Sequence, residues 1–395
     1  MLSYSFCEND SRILQYAGAL VERGDTVDVI ALRMKGTAEY EVLNGVNVYR
    51  IQTRVVNEKG RISYLLRIAR FFVVATVILT KMHLFKRYSV VHVHSVPDFL
   101  VFAALIPRLL GASVILDIHD ILPEFYASKF GLRSDTVLFR LLLFMERASA
   151  AFADHVIVAN ELWRAKLIAR SVSKDKCTSI RNYPDTNIFF PRPKPAGKER
   201  FLLMYPGSLN RHQGLDIAIR AFSRVVADMP NAEFWIYGEG PEKPSLQALS
   251  KSLGLLDRVH IRECLPLREI AAIMATCDLA VVPKRTGSAF GSEAASTKIM
   301  EFMSLGVPVI VSRTRIDTFY HDDSMVKFVE SENEADLASA MFLLWQSPEL
   351  CQKLAENGSR YVQENNWARK KIGYLSLVDS LASRSHRGVE SESHD

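Results

Sequence analysis

Cysteine is scarce and scattered. Cys7, Cys177, Cys264, Cys277 and Cys351 are an odd number, far apart, with no CxxC pair. Such a set argues against a disulfide framework or a zinc site and suits a reducing cytosol. The start of the chain, Met1 to Asp10, has no basic stretch leading into an apolar core, so no signal peptide is read there. Long uncharged runs are also missing. Phe71–Thr80 falls far short of the roughly 20 residues that span a bilayer. Nor does one sign of charge dominate: the formal net charge is +5 and the pI near 8.8, too weak to argue for a nucleic-acid partner.

What is present describes an ordinary globular chain in two parts. Its 395 residues suggest two domains, and 48% hydrophobic with 24% charged residues supports a core in each. Short apolar runs alternate with helical spacing. Val27–Leu32, Val46–Ile51, Val90–His94, Val114–Asp117 and His155–Ala159 read as strands, with helical stretches near Phe99–Leu110 and Thr136–Phe152. The second half repeats this grammar with strands at Phe201–Tyr205, Glu233–Tyr237, Val259–Ile261, Leu279–Val282 and Val307–Val311. Helices follow at Leu215–Ala227, Pro244–Leu253, Leu267–Ala275 and Thr297–Ser304. Nearly continuous apolar strands between helices imply parallel sheets covered on both faces. Asn182–Arg200, with four prolines and a glycine, reads as an inter-domain linker, and Ser383–Asp395 as a loose polar tail.

In open α/β sheets, ligands bind beyond the carboxyl ends of the strands. Three motifs of the second half sit there. Gly207-Ser208-Leu-Asn-Arg211-His-Gln-Gly214 links a strand to a helix whose N-terminus suits phosphate, with Arg211 as a counter-charge. The alternative is an ordinary turn with a surface arginine. Tyr237-Gly238-Glu-Gly240-Pro follows the next strand, but a GxG without a third glycine is a weak signal, and alone it reads rather as a plain turn. Phe290–Val309 places Lys298 in the first turn of a helix, between Glu293 and Glu301. Lys298 and Arg211 would face a diphosphate, Glu301 the vicinal diol of a ribose, and Glu293 the hydroxyls of a sugar. A solvated helix face is the plainer reading. Against it, Glu293 is expected outside the helix, in a loop of small residues.

These blocks, above all the two glutamates with KIMEFMSLGVPVIVS, resemble the retaining GT-B glycosyltransferases of glycosyltransferase family 4. Supporting pieces are GSLNRHQGLDIAIRAF, YGEGP, CDLAVVPK, VVHVHS, LDIHDILPEF and NYPDTNIFFP. The resemblance implies an α/β protein of two Rossmann-like domains facing across a cleft, here 1–190 for the acceptor and 191–365 for the nucleotide-sugar donor. It also implies a C-terminal helix, 366–383, crossing back to the N-terminal domain ahead of a tail at 384–395. Two departures stand out. A basic residue often follows the first glycine of the phosphate loop and a Lys-Gly pair comes later; here these are Ser208 and Gln213-Gly214. The opening strand is a stub, Met1–Phe6, and FCENDS stands where a glycine-rich loop is usual.

His119, at the end of a strand in LDIHD, matches the family's active-site histidine near the donor sugar; a buried, satisfied histidine is the alternative. Asp120 and Glu124 are candidate acceptor contacts. The family's reaction is thought to proceed on one face of the sugar without a protein nucleophile, and the chain contains no Asp-x-Asp for a metal–diphosphate bridge. No metal or other cofactor is expected, since His92 and His94 share a strand face without an evident third ligand. Gly60–Tyr88 carries six basic residues, no acid and an apolar centre, which suits a helix lying at a membrane surface. The expected partners are a nucleotide-sugar donor, a glycan or polyprenyl-diphosphate-linked acceptor, and the inner face of a cell membrane, with no nucleic acid. The expected role is hexosyl transfer in surface polysaccharide or lipopolysaccharide biosynthesis. A non-catalytic nucleotide-sugar-binding partner and a nucleotide-sugar 2-epimerase are the alternatives.

Overall fold

The computed structural model describes residues 1–54, 61–130, 133, 135–193, 200–287 and 289–391. Gly60 of the membrane-facing segment, 194–199 of the linker and 392–395 of the tail lie outside them. The chain divides into two units, Met1–Asn182 together with Ala368 onward, and Tyr183–Trp367. In this division Tyr183 and Phe189, both buried, fall in the second unit.

The first unit is built on eight strands. In chain order they are β1 (Leu2–Ser3), β2 (Asp28–Arg33), β3 (Tyr40–Leu43), β4 (Val46–Thr53), β5 (Val90–His94), β6 (Ser113–Ile118), β7 (His155–Val158) and β8 (Cys177–Ser179). Their spatial order is β3-β4-β2-β1-β5-β6-β7-β8, parallel throughout except for the β3–β4 hairpin. The stub of the sequence is thus an inner strand: Leu2 pairs with both Ile30 and Val93. Two residues are too few to show periodicity, yet Leu2 is fully buried. Residues 98–109 form a 3-10 helix, Asp98–Ala104, running into a short α-helix, Leu105–Leu109.

The second unit has a six-stranded parallel sheet of β9 (Phe201–Pro206), β10 (Ala232–Tyr237), β11 (Val259–Arg262), β12 (Leu279–Val282), β13 (Val309–Ser312) and β14 (Lys327–Val329). Its order is β11-β10-β9-β12-β13-β14, so the sense of winding reverses between β9 and β12. Strands β12 and β13 are buried at every position, as expected for a sheet sandwiched by helices. The loops after β9 and β12 therefore meet at the switch point of the sheet, where open α/β folds bind ligands.

The last helix, Trp367–Ser391, runs beyond the point where a tail was expected and belongs to the first unit from Ala368. Tyr374 is buried against Tyr16, with ring centroids 4.3 Å apart, and Ser113 donates to the Leu381 carbonyl at 2.9 Å. Lys371–Glu22 and Arg23–Asp379 ion pairs pin its exposed side.

Candidate active site

In the second unit, the β9–helix turn and the helix Thr297–Ser304 meet. Gly207 has φ +134°, and a Cβ there would lie 2.3 Å from Lys298 Cε and 2.8 Å from its Nζ. Only glycine leaves room for the lysine to lie across this turn. Lys298 Nζ also stands 5.2 Å from the centre of the Tyr205 ring, and the Tyr205 hydroxyl donates to the Ser208 carbonyl at 3.1 Å. Ser296, the residue before the helix, makes no side-chain cap, and its buried hydroxyl has no partner among the described residues. The helix Leu215–Val225, entered through Gly214, likewise has no side-chain cap. Uncapped first-turn N–H groups and a nearby amine are chemically suited to an anion.

The electrostatics agree. Burial lowers the Lys298 pKa; Glu301, one turn along the helix, opposes this, and Lys284 adds to the lowering. Burial raises the Glu301 pKa against the pull of Lys298 and a Thr297 hydrogen bond. His212 is lowered by burial and then by Lys298 and Lys284. Arg211 is exposed, and no hydrogen bond or ion pair fixes its guanidinium among the described residues; its carbonyl accepts from Arg285 at 3.1 Å.

Lys284 escaped the sequence reading. It follows β12, is buried, and binds Asp317 at 2.9 Å and the Ala294 carbonyl at 2.7 Å. The signal was a lysine at the carboxyl end of a buried strand, in CDLAVVPK. Glu293 is not in a loop: it closes a short helix, Ala289–Glu293, is buried, and pairs with Arg315 at 2.9 Å.

Gly238 and Gly240 have a packing reason to be glycine. A Cβ on Gly238 would stand 1.8 Å from the Gly207 carbonyl oxygen, and one on Gly240 2.4 Å from that of Leu209. The two turns are laced by Gly207 N–H to Tyr237 O at 2.8 Å and Leu209 N–H to Glu239 O at 2.9 Å. Gly238→Ala is therefore expected to cost about 1–3 kcal/mol, the usual penalty of overpacking. Urea denaturation checks this, and an unchanged midpoint would refute the close approach.

The first unit holds its own polar centre. Asp117, on β6 and fully buried, receives Arg12 Nε and Nη2, each at 2.7 Å. Arg12 Nη1 continues to the Ile180 carbonyl at 2.6 Å and Asn182 Oδ1 at 2.8 Å. Three histidines surround the carboxylate. His119 Nε2 and His94 Nδ1 both lie 3.3 Å from Asp117 Oδ2, and His92 Nε2 lies at 3.8 Å. His92 Nδ1 meets the Tyr374 hydroxyl at 3.1 Å. Burial works to raise the Asp117 pKa, but Arg12 and His119 outweigh it and hold the group well below the usual carboxylate range. Burial lowers His92, and lowers His94 strongly. His119 alone of the three reaches solvent, 20% exposed. Its Nε2 also lies 3.3 Å from His94 Nδ1.

Asp117 supplies the third ligand type that His92 and His94 lacked in the sequence, with candidate ligand atoms within 4.8 Å of one another. Both its oxygens are engaged by a guanidinium, however, and a divalent cation there would have to share that carboxylate with Arg12. Of the acceptor-side candidates, Asp120 follows His119 directly, and burial raises its pKa against the pull of His119. Glu124 is occupied: its two oxygens accept from Arg170 at 2.5 and 3.0 Å, and Arg170 also holds the buried Glu146.

Residues 187–361 match the family described as Glycosyl transferases group 1, and residues 10–183 the Glycosyl transferase 4-like domain. The chain is a glycosyltransferase. Between them the two domains account for most of this glycosyltransferase. It is 24% identical over 335 residues to the phosphatidylinositol N-acetylglucosaminyltransferase gpi3 subunit of Schizosaccharomyces pombe, covering 84% of this chain and 68% of that one. It is 26% identical over 157 residues to Escherichia coli WcaL, named for colanic acid biosynthesis, covering 40% of this chain and 39% of WcaL. Its fold is GT-B. The crystal structure of Anabaena HepE in complex with UDP superimposes with a TM-score of 0.70 at 15% identity, over 96% of this chain and 99% of that one.

Proposed function

We propose that this glycosyltransferase moves a hexose from a nucleoside diphosphate sugar to a glycan acceptor carried on lipid, in the assembly of a surface polysaccharide or lipopolysaccharide. The observation that carries the donor reading is Lys298 seated across Gly207 at an uncapped helix end, with Glu301 one turn on. The diphosphate rests on the amine and the free N–H groups, and Glu301 accepts from the ribose diol. The UDP in HepE supports the same ligand class. Transfer with retention forms the bond from the acceptor oxygen to the sugar C1 as the C1–phosphate bond breaks, on one face. The acceptor proton passes to the departing diphosphate. The protein contributes position and charge stabilisation, with His119 as a catalytic residue and no metal or other cofactor. The names of gpi3 and WcaL support a lipid or polysaccharide acceptor. Contact of residues 60–88 with the inner face of the cell membrane would bring such an acceptor within reach.

A thermal-shift screen with UDP, GDP, ADP and their sugars tests the donor reading. One nucleotide is expected to raise Tm by several degrees at about 100 times its Kd, where binding adds about 2.7 kcal/mol. No shift with any of them would refute it.

A further inference from the structure

The helix Arg61–Lys86 buries Ile68, Phe71, Ala75 and Leu79, one stripe at three- and four-residue spacing. Phe71 meets Tyr4 edge-on, with ring centroids 5.0 Å apart. By length and composition the segment Ser63–Lys86 is apolar enough to cross a bilayer. Crossing would strip that stripe from the sheet, so the helix lies along a surface. Its other side exposes Leu66, Val73, Val77, Leu84 and Phe85, the last at 89%.

Two neighbours extend this exposed side. The segment Asp98–Leu109 packs against the helix Arg61–Lys86, and the helix Val137–Phe152 packs against the same segment. Edge-to-face pairs join them, Phe72 with Phe99 at 5.8 Å and Phe102 with Phe152 at 5.1 Å. Leu105, Leu109 and Leu110 are exposed in the middle element, and Val137, Leu138, Leu141 and Phe144 in the outer helix. A lone exposed leucine is ordinary; this series over three adjoining helices is not. The exposed charges interleaved with it are basic: Arg70, Lys81, Arg87, Arg140 and Arg147. The helix Arg61–Lys86 contains no acid, and Glu146 of the outer helix is buried and paired with Arg170.

We propose that the helices Arg61–Lys86, Leu105–Leu109 and Val137–Phe152 form one docking face for an anionic lipid bilayer. The inference rests on the membrane contact proposed for residues 60–88 and widens it to residues 105–110 and 137–147. Apolar side chains enter the headgroup boundary while the arginines and lysines meet lipid phosphates. A protein interface core is depleted in charge, which fits this interleaving less well.

Flotation of the full chain with phosphatidylcholine vesicles, with and without phosphatidylglycerol, tests the proposal. Binding is expected with the anionic lipid, weakened by salt and released by carbonate. The double variant Leu141→Glu/Phe144→Glu is expected to lower partitioning at least about tenfold, since each side chain buries more than a methylene's worth of apolar surface. Should that variant melt early, Arg140→Glu reads the same face through charge alone, and weaker binding is again expected. Loss of binding in Phe85→Glu with none in the outer-helix variants would overturn the wider face and leave the 60–88 contact standing. Failure of the wild-type chain to bind any vesicle would overturn both. Carbonate-resistant insertion, or a soluble dimer dissolved by the double variant, would also overturn the proposal.

Discussion

Lys298→Ala is expected to reduce turnover by about 100- to 1,000-fold, the usual effect of removing one donor aimed at developing charge. It should also erase the thermal shift caused by the preferred nucleotide. The fold itself should lose little, because the amine is held against the cost of its own burial and another lysine's charge. Gly207→Ala approaches the same contact from the other side. Its methyl group would occupy the space of Lys298 Cε, in a backbone conformation that alanine disfavours. The two variants should therefore fail alike in nucleotide binding. A Lys298→Ala protein that keeps both the shift and the turnover would remove the foundation of the donor site.

Arg12→Ala is the second substitution with a large expected effect. It leaves Asp117 buried without its guanidinium, a defect that typically costs about 3–5 kcal/mol. Its sign with pH is distinctive. In the wild-type chain the Asp117 pKa is held well below its ordinary value. That contribution is fully present above the unfolded pKa of about 3.9 and is lost as pH falls towards the folded value. Without Arg12, burial raises the carboxyl pKa, so stability should fall as pH climbs above about 4. Denaturant titrations at several pH values read this reversal. Arg12→Ala/Asp117→Asn should recover much of the loss. A single variant with the wild-type pH profile would show that the buried pair is not the anchor the geometry describes.

Much of the fold was legible because buried parallel strands are continuous apolar runs. The seven strands read from Val90–His94 through Leu279–Val282 needed nothing beyond the pattern of apolar runs and breaks. Cys177–Ser179 and Lys327–Val329 did not show, and Leu2–Ser3 showed only as a stub, since two or three residues carry no period and are specified by their neighbours. Lys298 and Glu301 could be placed together from helical spacing alone. Asp117 could not be given its role, because its partner Arg12 lies 105 residues away. The YGEGP glycines read as a weak ligand signal beside a plain turn, and the second turn pressed against them could not be seen in the sequence.

The chain returns to its first unit only after the whole of the second has been made, and Tyr374 then fills a gap beside Tyr16 and His92. During synthesis the leading unit therefore waits, its histidine face uncovered, while the trailing unit already has every strand it needs. Order of translation and order of completion are opposed: the part that leaves the ribosome first is sealed last.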